Sequence, residues 1–144
     1  MLLSKEIAVY LNLAACKLKQ YTTLMLKQNK VGLTPEQFLL MDLLWNQGPS
    51  SQQKLADNMQ KDKNSITKLV DALEKKKLVV RERNSDDRRS NTVVLTEKGA
   101  SMKDEAKEAG ISMLDKMLEG IDDKELKKFL KTLGKMSDNM DRLS

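Results

Sequence analysis

A change of hydrophobic period inside one stretch, Lys61 to Gly99, constrains this chain most. Ile66, Leu69, Val70 and Leu73 fall at i, i+3, i+4 and i+7, the spacing of one helical face. After Lys77 the pattern becomes Leu78-Val79-Val80-Arg81-Glu82-Arg83, and later Thr92-Val93-Val94-Leu95, both strand-like in composition. The residues between them, Asn84-Ser85-Asp86-Asp87-Arg88-Arg89-Ser90, are polar and turn-forming. Asp62 stands just ahead of the helical face as an N-cap for the orphan amides of its first turn. The other face carries Lys63, Asn64, Thr67, Lys68 and Asp71, side chains that can reach base edges and phosphates. A helix with a basic, amide-bearing face, followed by an arginine-tipped hairpin, can grip DNA in two grooves at once.

The flanking segments read as helices. From Met1 to about Asn29, Ile7, Tyr10, Leu11, Ala14, Leu18, Tyr21 and Met25 recur at helical spacing, and Leu3, Leu13, Leu24 and Leu26 widen the face. So wide a face on a terminal helix implies a partner chain. Thr34-Pro35-Glu36-Gln37 starts the next helix, with Thr34 as N-cap, Pro35 at the first position and Gln37 closing a capping box. Phe38, Leu39, Met41, Leu43, Leu44 and Trp45 make that helix apolar nearly all round, the pattern of a helix at the centre of the fold. It stops at Asn46-Gln47-Gly48-Pro49. Either Ser50 or Ser51 caps a short helix from Gln52 to about Met59. A tight turn from it to the Lys63 helix gives a helix-turn-helix, whose second helix enters the major groove.

Thr96 caps a further helix running to about Glu119, with Gly110 inside it as a weak point and bend site. Gly120 ends that helix. Asp122 or Asp123 begins the last one, where Leu126, Phe129, Leu130, Leu133, Met136, Met140 and Leu143 form an apolar stripe almost to the chain end. Stripes on helices at opposite ends of the sequence suggest one intermolecular bundle and a dimer.

Composition removes other classes. No run reaches the 18 or so apolar residues of a membrane-spanning helix, and Met1 to Glu6 lacks the pattern of a signal peptide. The single cysteine, Cys16, excludes an internal disulfide and suits a reducing cytoplasm. With no histidine in the chain, imidazole metal sites and histidine triads are excluded; no cofactor and no metal is expected. The chain also lacks a glycine-rich phosphate loop and a nucleophile–base pair, so it does not read as an enzyme. Charge is distributed unevenly: eleven Lys/Arg face seven Asp/Glu from Ser50 to Leu95, and five face one from Met1 to Thr34. From Thr96 to Ser144 ten face eleven. A basic centre is the electrostatic footprint of a phosphate-backbone binder.

Leu33-Thr34-Pro35-Glu36-Gln37-Phe38, Leu55-Ala56, Asp71-Ala72-Leu73-Glu74-Lys75-Lys76, Asp87-Arg88-Arg89 and Leu95-Thr96-Glu97-Lys98-Gly99, with the spacing from Arg89 to Leu95-Thr96, carry a resemblance. The sequence resembles the MarR family of winged helix-turn-helix transcription regulators. The resemblance implies a mainly α fold with a small β-hairpin wing (α+β), in a single domain over residues 1–144. Within it, residues 33–99 would form the winged helix-turn-helix DNA-binding module, and residues 1–32 and 100–144 the dimerisation helices. It also implies a cytoplasmic homodimer that binds a palindromic operator, usually to repress. A small lipophilic or aromatic effector would act between the dimer helices and the DNA lobe. The family usually has glycine where this chain has Lys77. Either the lysine takes a left-handed conformation at a cost of about 1 kcal/mol, or the helix ends differently.

The expected DNA contacts are Lys63, Asn64, Ser65, Thr67 and Lys68 on the recognition helix, with Asn64 suited to adenine and lysine to guanine or phosphate. Lys61 and Arg83 join them. Arg88 and Arg89 suit a narrow minor groove, with Asp87 orienting Arg89. Ser51 and Gln52, at a helix N-terminus, suit phosphate. Dimer contacts are assigned to Ile7, Tyr10, Leu11, Ala14, Leu126, Phe129, Leu130, Leu133, Met136 and Met140. Cys16 reads as a small buried residue, while the resemblance gives it a redox-sensing alternative. Met41, Met102, Met113 and Met117 read as core filling, or as the lining of an effector pocket. The competing function classes are a winged-helix module used only for protein contacts and, disfavoured by only five aromatic residues, a single-strand or RNA binder.

Overall fold

The computed structural model describes residues 2–84 and 87–144, with residues 84 and 87–90 described as backbone only. It divides into two compact units, the first running to Ile111 and the second from Ser112 to Ser144.

The first unit opens with α1 (Leu3–Gln28), which buries only Leu26. Helix α2 (Pro35–Gln47) starts as its sequence requires. The Thr34 hydroxyl accepts the Gln37 amide at 3.2 Å, and the Gln37 side chain accepts the Thr34 amide at 3.2 Å. This helix buries Leu40, Met41, Leu44 and Trp45 in the core, but Leu39 is half exposed, so it is not apolar-buried all round as its composition suggested. Phe38 meets Trp45 edge-on with ring centroids 5.9 Å apart.

Ser50–Ser51 forms β1, followed by α3 (Gln52–Met59) and α4 (Lys63–Lys75). Of the two candidate caps for α3, Ser51 is the one used: its Oγ accepts the Lys54 amide at 3.1 Å. Ser50 is buried and paired with Val93 instead. Two serines carry no strand signal, because this strand exists only through its pairing. Helix α4 is capped by Asp62, whose carboxylate accepts the Ser65 amide at 2.7 Å. Ile66, Val70 and Leu73 are fully buried on its inner face and Leu69 partly so, the face read from the spacing.

Strands β2 (Val79–Asn84) and β3 (Asp87–Leu95) complete an antiparallel sheet ordered β1-β3-β2. The strand expected over Thr92–Leu95 therefore reaches back to Asp87, and Asp87, Arg88 and Arg89 lie on a strand rather than in the turn. Alternation marks a strand only where one face is buried. Here pairing of Arg83 with Asn91 and of Asn84 with Asp87, across an irregularity at Arg83/Asn84, extends the ladder through polar residues. Ser85 and Asp86 of the expected turn lie outside the described residues, as do the side chains of Asp87, Arg88 and Arg89.

The long helix expected from Thr96 to Glu119 is two helices, α5 (Glu97–Ser101) and α6 (Lys103–Met117), parted at Met102. The Gly99 carbonyl, the acceptor a continuous helix would offer to the amide four residues on, takes the buried Trp45 indole N–H at 2.9 Å. Helix α6 continues through Gly110. A Cβ there would stand 2.9 Å from the Phe38 ring, so the glycine is what lets that ring seat against the helix.

The joint between α4 and the hairpin is closely determined. Lys77 takes the left-handed conformation, φ +63°. The Leu78 amide reaches the Leu73 carbonyl at 3.0 Å and the Lys77 amide the Glu74 carbonyl at 2.9 Å, a Schellman ending with lysine at the usual glycine position. Of the two outcomes open from the sequence, the strain is accepted. Thr96 then locks the joint: its hydroxyl donates to the Lys77 carbonyl at 2.7 Å and accepts the Gly99 amide at 3.0 Å, and its amide donates to the Leu78 carbonyl at 3.0 Å.

The second unit contains the end of α6 and helix α7 (Asp123–Leu143). Gly120, at φ +83°, makes the turn, and Asp122 is the N-cap. No α7 residue is buried.

Two substitutions test the joint by thermal unfolding at fixed protein concentration. Lys77→Gly removes the left-handed penalty, less the entropy glycine adds to the unfolded chain. It should stabilise by about 0.5–1 kcal/mol, or roughly 2–4 °C; a lower melting temperature contradicts the account. Gly99→Ala places a Cβ 2.1 Å from the Leu78 carbonyl oxygen. It should cost about 3 kcal/mol and on the order of 10 °C, and an unchanged melting temperature would contradict it.

Candidate nucleic-acid interface

The outer face of α4 is open where the sequence placed it. Lys63, Asn64, Thr67 and Lys68 are exposed, while Ser65 is only half exposed. The first turn of α4 is fixed by Asp62. The backbone hydrogen bond from Ser65, then the Ser65 side chain, then the Asn64 amide and Lys61 outweigh its small desolvation and hold its carboxyl below the usual range. The cap therefore stays ionised at neutral pH, next to the helix's positive end.

The other assigned contacts divide by what else they hold. Lys61 pairs with Glu36 at 3.2 Å, which ties the α3–α4 turn to the start of α2. Arg83 is exposed on β2. Ser51 spends its hydroxyl on the α3 cap. The Thr67 hydroxyl donates to the Lys63 carbonyl at 2.9 Å and accepts from the Gln52 amide nitrogen at 3.3 Å. Asp71, placed by the sequence on the DNA-facing side, is paired with Arg81 at 2.8 Å.

Arg81 is the residue that sequence reasoning missed. It lies on β2, and its guanidinium engages two helices, α3 and α4, at once. Nε donates to Gln52 Oε1 at 2.6 Å, Nη1 to Glu74, and Nη2 to Asp71 at 2.8 Å and to the Thr67 carbonyl at 3.2 Å. With 19% of its side chain exposed and two carboxylates against it, it is not a free cation. The signal for it was present as an arginine ten residues beyond Asp71 and seven beyond Glu74, but only the turn of the chain after Lys77 brings them together.

A second link crosses the base of the module. Lys76 Nζ donates to the Gln37 side chain at 2.7 Å and the Gly32 carbonyl at 2.8 Å, so the end of α4 is fastened to the cap of α2. A small cavity nearby is lined by Asn29, Lys30, Val31, Met102, Glu105 and Ala106. Met41 and Met113 are buried, whereas Met117 is exposed. Cys16 is exposed on α1, which corrects its reading as a small buried residue.

Of the residues assigned to dimer contacts, Ile7, Tyr10 and Ala14 are exposed on α1 and Leu11 is half buried. On α7, Phe129, Leu130 and Met140 are exposed while Leu126, Leu133 and Met136 are half buried. No helix among the described residues is long and apolar enough to cross a membrane.

Known proteins share this arrangement. The family model described as the MarR family matches residues 33–91. The organic hydroperoxide resistance transcriptional regulator of Bacillus subtilis is 32% identical over 116 residues, which cover 80% of this chain and 77% of that protein. Among solved structures, a MarR-family transcriptional regulator from Rhodococcus sp. RHA1 superposes with a TM-score of 0.81 at 27% identity, over 94% of this chain and 95% of that one. The Staphylococcus aureus MepR–DNA complex shares the fold, with a TM-score of 0.83 at 22% identity over 92% of this chain and 96% of that one. The exposed recognition helix, the three-stranded wing and these matches agree: the chain belongs to the MarR family of DNA-binding transcriptional regulators, and it is not an enzyme.

Proposed function

We propose that the chain works in the cytoplasm as a homodimeric repressor on a palindromic operator, and that a small lipophilic or aromatic molecule releases it. The observation that carries the DNA reading is the open face of α4, where Lys63, Asn64, Thr67 and Lys68 stand exposed beside a two-stranded ribbon. In this reading Asn64 pairs with adenine and the lysines with guanine or phosphate. Lys61, Ser65, Arg83 and the α3 N-terminus at Ser51 and Gln52 sit on backbone, and Arg88 and Arg89 enter the minor groove with Asp87 orienting Arg89. Residues 33–99 act as the DNA-binding module, with residues 1–32 and 100–144 as dimerisation helices.

The dimer reading rests on apolar surface left exposed on two helices. Leu3, Tyr10 and Leu13 on α1 are 60–70% exposed, and Phe129, Leu130 and Met140 on α7 are 56–68% exposed. Surface of that kind on two helices marks an interface between chains, and a two-fold dimer presents two α4 helices to two half-sites. The cavity lined by Val31, Met102 and Ala106 is the candidate seat of the effector.

Fragments selected from the source genome test the DNA reading by gel shift against nonspecific competitor. Preference for particular fragments is expected; equal binding to competitor would leave a protein-contact module instead. Eight to ten phosphates neutralised per dimer should give a slope of log affinity against log salt of roughly −7 to −9. Asn64→Ala should lose roughly tenfold of operator affinity, and Arg89→Ala should weaken binding while the dimer persists; unchanged affinity at physiological salt would remove either residue from the interface.

Leu130→Glu addresses the dimer. Sedimentation should show a shift from dimer to monomer, with operator affinity lost in parallel. A variant that remains dimeric would move the interface off α7.

A further inference from the structure

The side chains around Arg81 can be satisfied with only one orientation of their hydrogen bonds. A guanidinium has donors and no acceptor, so the Gln52 oxygen must face Nε, as it does at 2.6 Å. The Gln52 amide nitrogen is thereby turned toward Thr67, whose Oγ1 lies 3.3 Å away. Thr67 in turn spends its hydroxyl proton on the Lys63 carbonyl, 2.9 Å distant, and can only accept from Gln52. Asp71 and Glu74 hold the guanidinium from the other side, so its plane cannot turn. What remains free on this half-exposed and exposed pair is defined: the second N–H of Gln52, a donor, and a lone pair of Thr67, an acceptor.

We infer that Arg81 is a positioning residue for sequence reading: it fixes Gln52 and Thr67 as a donor–acceptor pair matched to the major-groove edge of adenine. Adenine alone offers an acceptor, N7, beside a donor, N6. Guanine offers two acceptors there, and the Thr67 lone pair would oppose one of them. This rests on the proposed DNA-binding function and adds a base preference to it. Arg81 itself carries no phosphate, because its three nitrogens are occupied and the local charge of Arg81, Asp71 and Glu74 together is negative.

The test uses the full-length protein and its selected operator, with every base pair of one half-site changed in turn and affinities read by fluorescence anisotropy at several salt concentrations. For the native protein, one A·T pair per half-site whose penalty survives Asn64→Ala, and so is distinct from the adenine Asn64 reads, should cost roughly tenfold when changed to G·C. Arg81→Lys keeps the charge but loses the planar fork. It should reduce that one penalty to nearly none, while penalties at other positions and the salt slope stay as they were. The double variant Glu74→Gln with Arg81→Gln, which preserves the net charge of the cluster, should do the same; circular dichroism establishes that each variant is folded. Retention of the A·T penalty in both variants overturns the inference, as does an equal loss at every position. So does a salt slope lower by about one per subunit, which would make Arg81 a phosphate contact. Failure of the native protein to prefer any fragment would instead defeat the DNA-binding reading beneath it.

Discussion

The approach of Gly99 to the Leu78 carbonyl is the contact on which the module's geometry depends. No side chain fits between them, since even a Cβ would meet the oxygen at 2.1 Å. Because that distance is so short, the Thr96 hydroxyl and amide can both bond across to Lys77 and Leu78, and the Gly99 carbonyl can receive the Trp45 indole. One turn of backbone therefore joins the end of the recognition helix, the root of the wing and the central helix α2. The indole bond buries a donor that would cost free energy if left unmade. The Lys98 ammonium adds a bond to the Lys76 carbonyl at 3.2 Å, so every carbonyl from Lys76 to Leu78 has an assigned partner. The wing is thus set against α4 by backbone chemistry at its root and by Arg81 along its length.

The basic excess read from the sequence is not the same as the charge available to DNA. Of the cations between Ser50 and Leu95, Lys61 faces Glu36, Lys76 faces Gln37 and Gly32, and Arg81 faces Asp71 and Glu74. These pairs hold the module together, and of the three cations only Lys61, in a partly exposed pair, is also assigned to the DNA backbone. The exposed Lys63 and Lys68 of α4 and Arg83 of β2 are without such pairs among the described residues, and they mark the side from which a phosphate backbone can approach. Division of the cations in this way explains how a chain with a net charge of only +5 can present a locally basic face.

Period and caps were legible in the sequence because each depends on neighbours within a turn or two. The capping box of Thr34 and Gln37, the Asp62 cap and the buried Ile66, Val70 and Leu73 follow from spacing alone. What the sequence did not disclose depends on partners far along the chain. Strand β1 exists because Val93 and Thr92 pair with two serines; the helix after Thr96 breaks because Trp45, 54 residues away, takes a carbonyl; Gly110 is a seat for Phe38. Arg81 belongs to the same class. Its partners Gln52, Thr67, Asp71 and Glu74 are spread over two helices, and no local pattern marks an arginine as an orienting group rather than a surface charge.

The helix ends show how far a local rule reaches. Lys30, Gln60 and Lys77 all take left-handed conformations, with φ of 55°, 52° and 63°, where glycine is usual. Each is followed by an amide that returns to the carbonyl five residues back: Val31 to Leu26, Lys61 to Ala56 and Leu78 to Leu73. Leu26, Ala56, Leu73 and Leu78 are buried, so the hydrophobic burial and the bond made by the residue after the turn exceed the roughly 1–2 kcal/mol that the turn residue loses. Glycine in these places would also have widened the unfolded ensemble, which narrows the difference. The ending is therefore selected by the residues on either side of the left-handed position more than by the residue in it, and a search for glycine alone overlooks all three.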